Sequence, residues 1–226
     1  MNLKAQTVQQ LTTRTRLRWH KFKSVLQPLP LRARNDYATH VPVLIGLTAL
    51  RRVERVLEFG CGNYSTKTFL DRVAFPHLRE LQSVENDTSW AEQLRGAVGG
   101  DARCVMNVVS GAISDTVGRF DLESFDLVLI DDSQEAIERA DTIRAVFAAG
   151  TERTWIVIHD YEVFDYQNAA ARFKNRFTFK GYNPQTGLVF NSTPQHDFKA
   201  LDKLIGMNSA RLDPDDLAGW LQLLRK

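Results

Sequence analysis

Val56-Leu57-Glu58-Phe59-Gly60-Cys61-Gly62-Asn63-Tyr64-Ser65-Thr66 reads as a strand that breaks on two glycines and resumes as a helix. The apolar run Val53–Phe59 is the strand, Gly60–Tyr64 the tight loop, and Ser65–Val73 the opening of the helix. Glycines at 60 and 62 let the main chain turn sharply and let a ligand approach it with no Cβ in the way. A dinucleotide fingerprint would place a third glycine at position 65, where helix and pyrophosphate pack tightly, and here that residue is Ser65. The loop therefore suits a ligand without a pyrophosphate, which disfavours a nicotinamide oxidoreductase. Glu58, at the strand's end, is badly placed for phosphates and well placed for a cation or an amine.

Outward from this loop, strand and helix signals alternate. Leu81–Glu85 is a second strand, and Ser89-x-x-Glu92 has the capping-box pattern that opens a helix. Cys104–Val109 is a third strand and Phe125–Asp131 a fourth, the most hydrophobic of all. A helix over Ser133–Ala149 ends on Gly150, and Thr154–His159 is a fifth strand, followed by a helix over Phe164–Phe173. Phe177–Tyr182 and Leu188–Asn191 read as a hairpin joined by the turn residues Asn183–Gly187. Ahead of the first strand, Asp36 caps a helix that runs to Leu50 with Pro42 near its start, and Asp213-Pro214-Asp215 starts a closing helix.

The first, fourth and fifth strands are continuous apolar runs, the mark of parallel strands buried on both faces. The predicted fold is α/β: a doubly wound, Rossmann-like sheet of seven strands, five parallel plus a C-terminal antiparallel hairpin, with helices on both faces. Ligands in such sheets bind where loops leave the carboxyl ends of the strands. Glu85 ends the second strand, 27 residues after Glu58, where an acid can accept both hydroxyls of a ribose. The plainer reading makes it a helix-capping acid, a task that Asp87 and Ser89 already fill.

The runs VLEFGCGNYSTKTFL, SVEND, FDLVLIDDS and WIVIHDYE resemble those of the class I S-adenosylmethionine-dependent methyltransferases. The segment ATHVPVLIGLTAL is similar to the helix that bacterial members carry ahead of the first motif, and the resemblance covers residues 37–192. It implies S-adenosyl-L-methionine as cofactor, with Glu58, Gly60 and Gly62 holding its methionine part, Ser65 its carboxylate and Glu85 its ribose. Family members often place an acid after the third strand for the adenine amine. Here the residues are Ser110-Gly111-Ala112, so Asn86 or Trp90 takes that place.

Methyl transfer from a sulfonium is an in-line displacement, accelerated chiefly by alignment in a dry site. What remains is to remove a proton from the acceptor. Asp131, Asp132, His159 and Asp160 stand at the ends of neighbouring strands four and five. One reading makes His159 or Asp131 the general base. The other makes Asp131 or Asp132, with Asp160, a site for Mg²⁺ or a similar hard cation, as in the catechol-type O-methyltransferases. Those enzymes have an Asn after the strand-five Asp, where this chain has Tyr161 and then Glu162, a substitute third ligand. The plain alternatives are that Asp132 caps the helix at Ser133, that His159 is a satisfied buried histidine, and that Arg139 is solvated.

Acid-rich loops fit a hydroxyl acceptor in a small molecule or sugar. No Asn/Asp-Pro-Pro-aromatic motif follows strand four, so DNA is not an expected substrate. Cys61 and Cys104 are too few for a disulfide scaffold and suit a reducing, cytoplasmic compartment. The longest uncharged run, Tyr37–Leu50, has 14 residues, short of the roughly 18 that cross a bilayer.

Charge is uneven along the chain. Residues 1–56 hold 11 basic and 2 acidic side chains, against 18 and 25 in the remainder, and residues 1–35 carry no acid. Residues 1–36 thus read as a basic, helical extension, with a helix over 1–27, ahead of a methyltransferase domain at 37–226. Such an extension lies across the acidic body, or contacts a membrane surface or RNA through residues 1–35. The alternatives to a small-molecule enzyme are a non-catalytic binding module that uses this extension and an RNA methyltransferase that grips phosphates with it.

Overall fold

The strand that carries the glycine loop, β1 (Arg55–Phe59), lies inside a seven-stranded sheet in the computed structural model, which describes residues 35–225. The helix expected over 1–27 and nearly all of the basic extension lie outside the described residues. β2 (Glu80–Glu85), β3 (Cys104–Val108), β4 (Leu127–Ile130) and β5 (Trp155–Ile158) run parallel to β1. β6 (Asn175–Phe179) and β7 (Thr186–Phe190) form the antiparallel end, and the strand order is β3-β2-β1-β4-β5-β7-β6. The order reverses between β1 and β4, and a crevice opens at such a point.

Alternation along the strands divides two cores. Val56, Leu127, Leu129, Trp155 and Val157 face one side, where α1 (Val41–Leu50), α6 (Phe198–Asn208) and α7 (Leu217–Leu224) pack. Leu57, Phe59, Val128, Ile130, Ile156 and Ile158 face the other, against α4 (Ala136–Ala149) and α5 (Phe164–Ala169). Every residue of β4 and β5 is buried, as their unbroken apolar runs require. α1 is buried from Val41 through Leu47, and its Gly46 leaves room for Leu201 of α6. Among the described residues, no helix is long and apolar enough to cross a membrane.

Three local expectations are corrected, and one helix is added to them. α3 (Thr88–Ala97) is capped by Asp87, whose carboxylate accepts from the Trp90 N–H, so Ser89 lies inside the first turn. α4 begins at Ala136 rather than Ser133, because the Ser133 hydroxyl donates to Glu138 and accepts from the Glu135 N–H. Gly187 is a strand residue of β7, since a Cβ there would meet the Tyr161 ring at 2.3 Å. α6 escaped the sequence reading, although Asp197 caps it and Phe198, Leu201 and Ile205 give it a buried face.

Candidate functional site

A cavity of about 720 Å³ opens at the carboxyl ends of β1, β2, β4 and β5, at the point where the strand order reverses. Gly62, Ser65, Glu85 and Trp90 line one end, and Asp131, Asp132, Arg139, His159 and Asp160 the other. Tyr37 and His40, ahead of α1, also reach it. The volume suits a small organic ligand with a substrate beside it.

At the first end the acids are held by neutral donors. Glu58 is fully buried, and its Oε2 accepts from Thr66 Oγ1 at 2.7 Å and Ser83 Oγ at 2.6 Å. Burial pushes its carboxyl up to about 7, against the smaller opposing pull of the hydroxyls of Ser65, Ser83 and Thr66. The Gly62 N–H donates to Thr66 Oγ1 at 3.1 Å, so Glu58 braces the glycine turn from below. It does not line the cavity. Glu85 does. Its Oε2 accepts from the Cys61 N–H at 3.2 Å, and its Oε1 from the N–H groups of Asn86 and Asp87 at 2.9 Å each. The Cys61 thiol donates weakly to Oε2 at 3.4 Å, and burial pushes that thiol's pKa well up. Trp90 Nε1 fixes the turn from the side, donating to the Cys61 carbonyl at 2.7 Å.

Gly60 is needed for a reason other than ligand approach. Its φ is +81°, and a Cβ there would lie 2.3 Å from the Asp131 carbonyl oxygen. Gly62 and Ser65 remain on the wall, with Ser65 at the start of α2 (Ser65–Leu70). Asn86 is exposed, donates to the Gly111 carbonyl at 3.1 Å, and does not line the cavity, whereas Trp90 does.

At the second end the acids are held by cations. Arg139, expected in solvent, is 3% exposed, and its guanidinium meets Asp131 Oδ1 and Asp160 Oδ2 at 2.9 Å each. It also lies over the Tyr166 ring at 5.2 Å. Asp160 has φ +57°, a left-handed conformation that Asp tolerates. His159 Nδ1 stands 3.2 Å from Asp131 Oδ1, and Nε2 2.9 Å from the Thr39 hydroxyl. Burial would lower the His159 pKa, but Asp131 and Asp160 beside it raise it on balance. Burial would likewise raise the Asp131 carboxyl, yet His159 and Arg139 hold it down to about 2. Both ring nitrogens of His159 thus stand within hydrogen-bond distance of a neighbouring side chain.

Asp132 caps no helix. Its Oδ2 accepts from Thr142 Oγ1 at 2.6 Å, its Oδ1 is buried without a partner, and burial pushes its carboxyl up to about 6. The residues do not fit Mg²⁺ between Asp131 and Asp160, because the Arg139 guanidinium itself bridges that pair, one nitrogen to each carboxylate. Glu162, the expected third ligand, instead accepts from the Gln185 N–H at 2.7 Å. His40 went unweighed in the sequence, where it stands as one histidine in an apolar segment. It is 1% exposed, and burial together with the nearby His159 lowers its pKa to about 3.

No family model matches the chain, and no curated protein matches it by sequence. Solved structures do match. The chain is similar to human methyltransferase-like protein 13 in complex with SAH, at a TM-score of 0.54 and 16% identity over 81% of this chain and 92% of that one. It is similar to the SAH-bound methyltransferase PaMTH1 of Podospora anserina, at 0.52 and 13% identity over 66% and 76%. A third likeness is to spermidine synthase in complex with the transition-state analogue AdoDATO, at 0.50 and 16% over 69% of this chain. The chain spans only about 60% of that synthase's length. These likenesses, with the seven-stranded topology, define the class: the chain has the class I S-adenosylmethionine-dependent methyltransferase fold.

Proposed function

We propose that the chain is an S-adenosyl-L-methionine-dependent methyltransferase that acts in the cytoplasm on a hydroxyl oxygen of a small molecule or sugar. One observation carries the reading: Glu85 and the glycine turn stand on the same cavity as the acids at the tips of β4 and β5. Glu85 receives the ribose. Three backbone N–H groups already hold its carboxylate, and the weak thiol contact of Cys61 is the one a ribose hydroxyl replaces. Gly62 and Ser65 take the methionine end and Trp90 the adenine, while Glu58 and Gly60 keep the turn in shape.

The transfer breaks the methyl–sulfur bond, returns its electron pair to sulfur, and forms a methyl–oxygen bond. The acceptor's proton must go to the protein or to water. Asp132 is the carboxylate assigned to take it, because it lines the cavity, its carboxyl is pushed up to about 6, and it bonds Thr142 rather than Arg139. Arg139 keeps Asp131, His159 and Asp160 in fixed positions around the acceptor. The test is calorimetric titration of the full chain with S-adenosylhomocysteine. Binding in the micromolar range supports the reading, and none at millimolar ligand overturns it.

A further inference from the structure

His40 has no task in the methyl-transfer reading. It lines the cavity one residue ahead of α1, it is buried, and neither of its ring nitrogens has a hydrogen-bond partner. A neutral imidazole carries one donor and one acceptor, and leaving both unmet in a buried site is a cost that folded chains normally avoid. Its ring meets the His159 ring edge-on, with centroids 4.8 Å apart. One ring nitrogen from each histidine and one Asp131 oxygen all lie within 4.8 Å of one another.

His159 Nδ1 and Asp131 Oδ1 are 3.2 Å apart. Neighbouring donors on a tetrahedral ion with bonds of about 2.1 Å are separated by roughly 3.4 Å. The surrounding contacts are those a metal ligand needs. The remaining nitrogen of His159 is fixed by Thr39, and Asp131 is fixed by Arg139. Asp131, Asp132 and Asp160 outnumber the single guanidinium of Arg139, so the cluster has negative charge to spare for a divalent cation.

We infer that His40, Asp131 and His159 bind one divalent transition-metal ion of the Zn²⁺ kind, with a further coordination position open to the cavity. Two imidazoles and one carboxylate suit such an ion and not Mg²⁺, which prefers oxygen ligands. The role of the ion rests on the methyl-transfer reading: an acceptor hydroxyl in the open position is oriented and made more acidic. Its binding does not rest on that reading.

The full chain, freed of metal by chelation, is titrated with Co²⁺ and followed by visible absorption, and Zn²⁺ is then added. One equivalent of Co²⁺ bound per chain and displaced by Zn²⁺ is the expected result, with X-ray absorption reporting two imidazole ligands. His40→Gln is expected to weaken Co²⁺ binding by more than about 100-fold. S-adenosylhomocysteine binding by the same variant shows that it has folded. No stoichiometric Co²⁺ or Zn²⁺ binding by the wild type overturns the site, as does a His40→Gln protein that binds Co²⁺ like the wild type. Absence of imidazole from the wild-type X-ray absorption signal overturns it without any variant. Co²⁺ binding without S-adenosylhomocysteine binding leaves the metal site and removes the methyl-transfer reading, and the opposite pattern does the reverse.

Discussion

Glu58 at the end of β1 and Asp131 just past β4 are carboxylates on adjacent strands, and their surroundings move them in opposite directions. Glu58 meets only neutral hydroxyls, which do not repay the loss of water, and its carboxyl rises to about 7. Asp131 meets His159 and a buried guanidinium, and it falls to about 2. The chemistry of the partner, as much as depth, decides whether a carboxylate in this sheet keeps its charge. One half of the cavity is thus braced by nearly neutral contacts and the other by ion pairs.

The largest effect is expected where that contrast is erased. Arg139→Met leaves Asp131 and Asp160 without their cation, and a loss of about 3 to 4 kcal/mol in denaturant unfolding is expected. A loss under about 1 kcal/mol would mean that water already screens the pairs. Gly60→Ala forces a Cβ onto the Asp131 main chain from a left-handed backbone, with an expected cost of about 2 to 3 kcal/mol and weaker S-adenosylhomocysteine binding. Wild-type-like stability of that variant would show that the two loops move apart freely.

Glu58 gives a pH signature. Its folded pKa lies above the unfolded value of 4.5, so its contribution to stability is fully present below pH 4.5 and is lost as pH rises through about 7. Glu58→Gln mimics the protonated form and is expected to remove that decline, leaving the variant about 3 kcal/mol better placed at pH 8 than at pH 4.5 relative to wild type. Parallel stability–pH curves for the two proteins would mean that Glu58 ionises normally. The smallest effect is at Glu85→Gln, where calorimetry is expected to show about a tenfold loss of S-adenosylhomocysteine affinity with the fold retained. Unchanged affinity would place the ribose elsewhere.

Much of the fold was legible because burial on both faces leaves an unbroken apolar run, as in Leu127–Ile130 and Trp155–Ile158. Gly187 was misread because a glycine beside turn residues and a glycine under an aromatic ring look the same in sequence. The acids of the site were legible as strand-end residues, but their partners were not. Arg139 sits between Glu138 and Ala140, which carry no hint of its direction. The later start of α4 puts it in the first turn, within reach of both aspartates. His40 was illegible for the opposite reason. A single histidine in an apolar segment signals burial and says nothing of which second histidine it will meet.

The missing side chain at position 60 acts as a shared hinge pin. Because the main chain of residues 131 and 132 fills the space a Cβ would need, the loop after β1 and the loop after β4 are packed backbone against backbone. Any redesign of the 133–135 segment inherits that constraint and must also replace the bonds of the Ser133 hydroxyl that set the start of α4. The path of the backbone just before it is the part that must be copied.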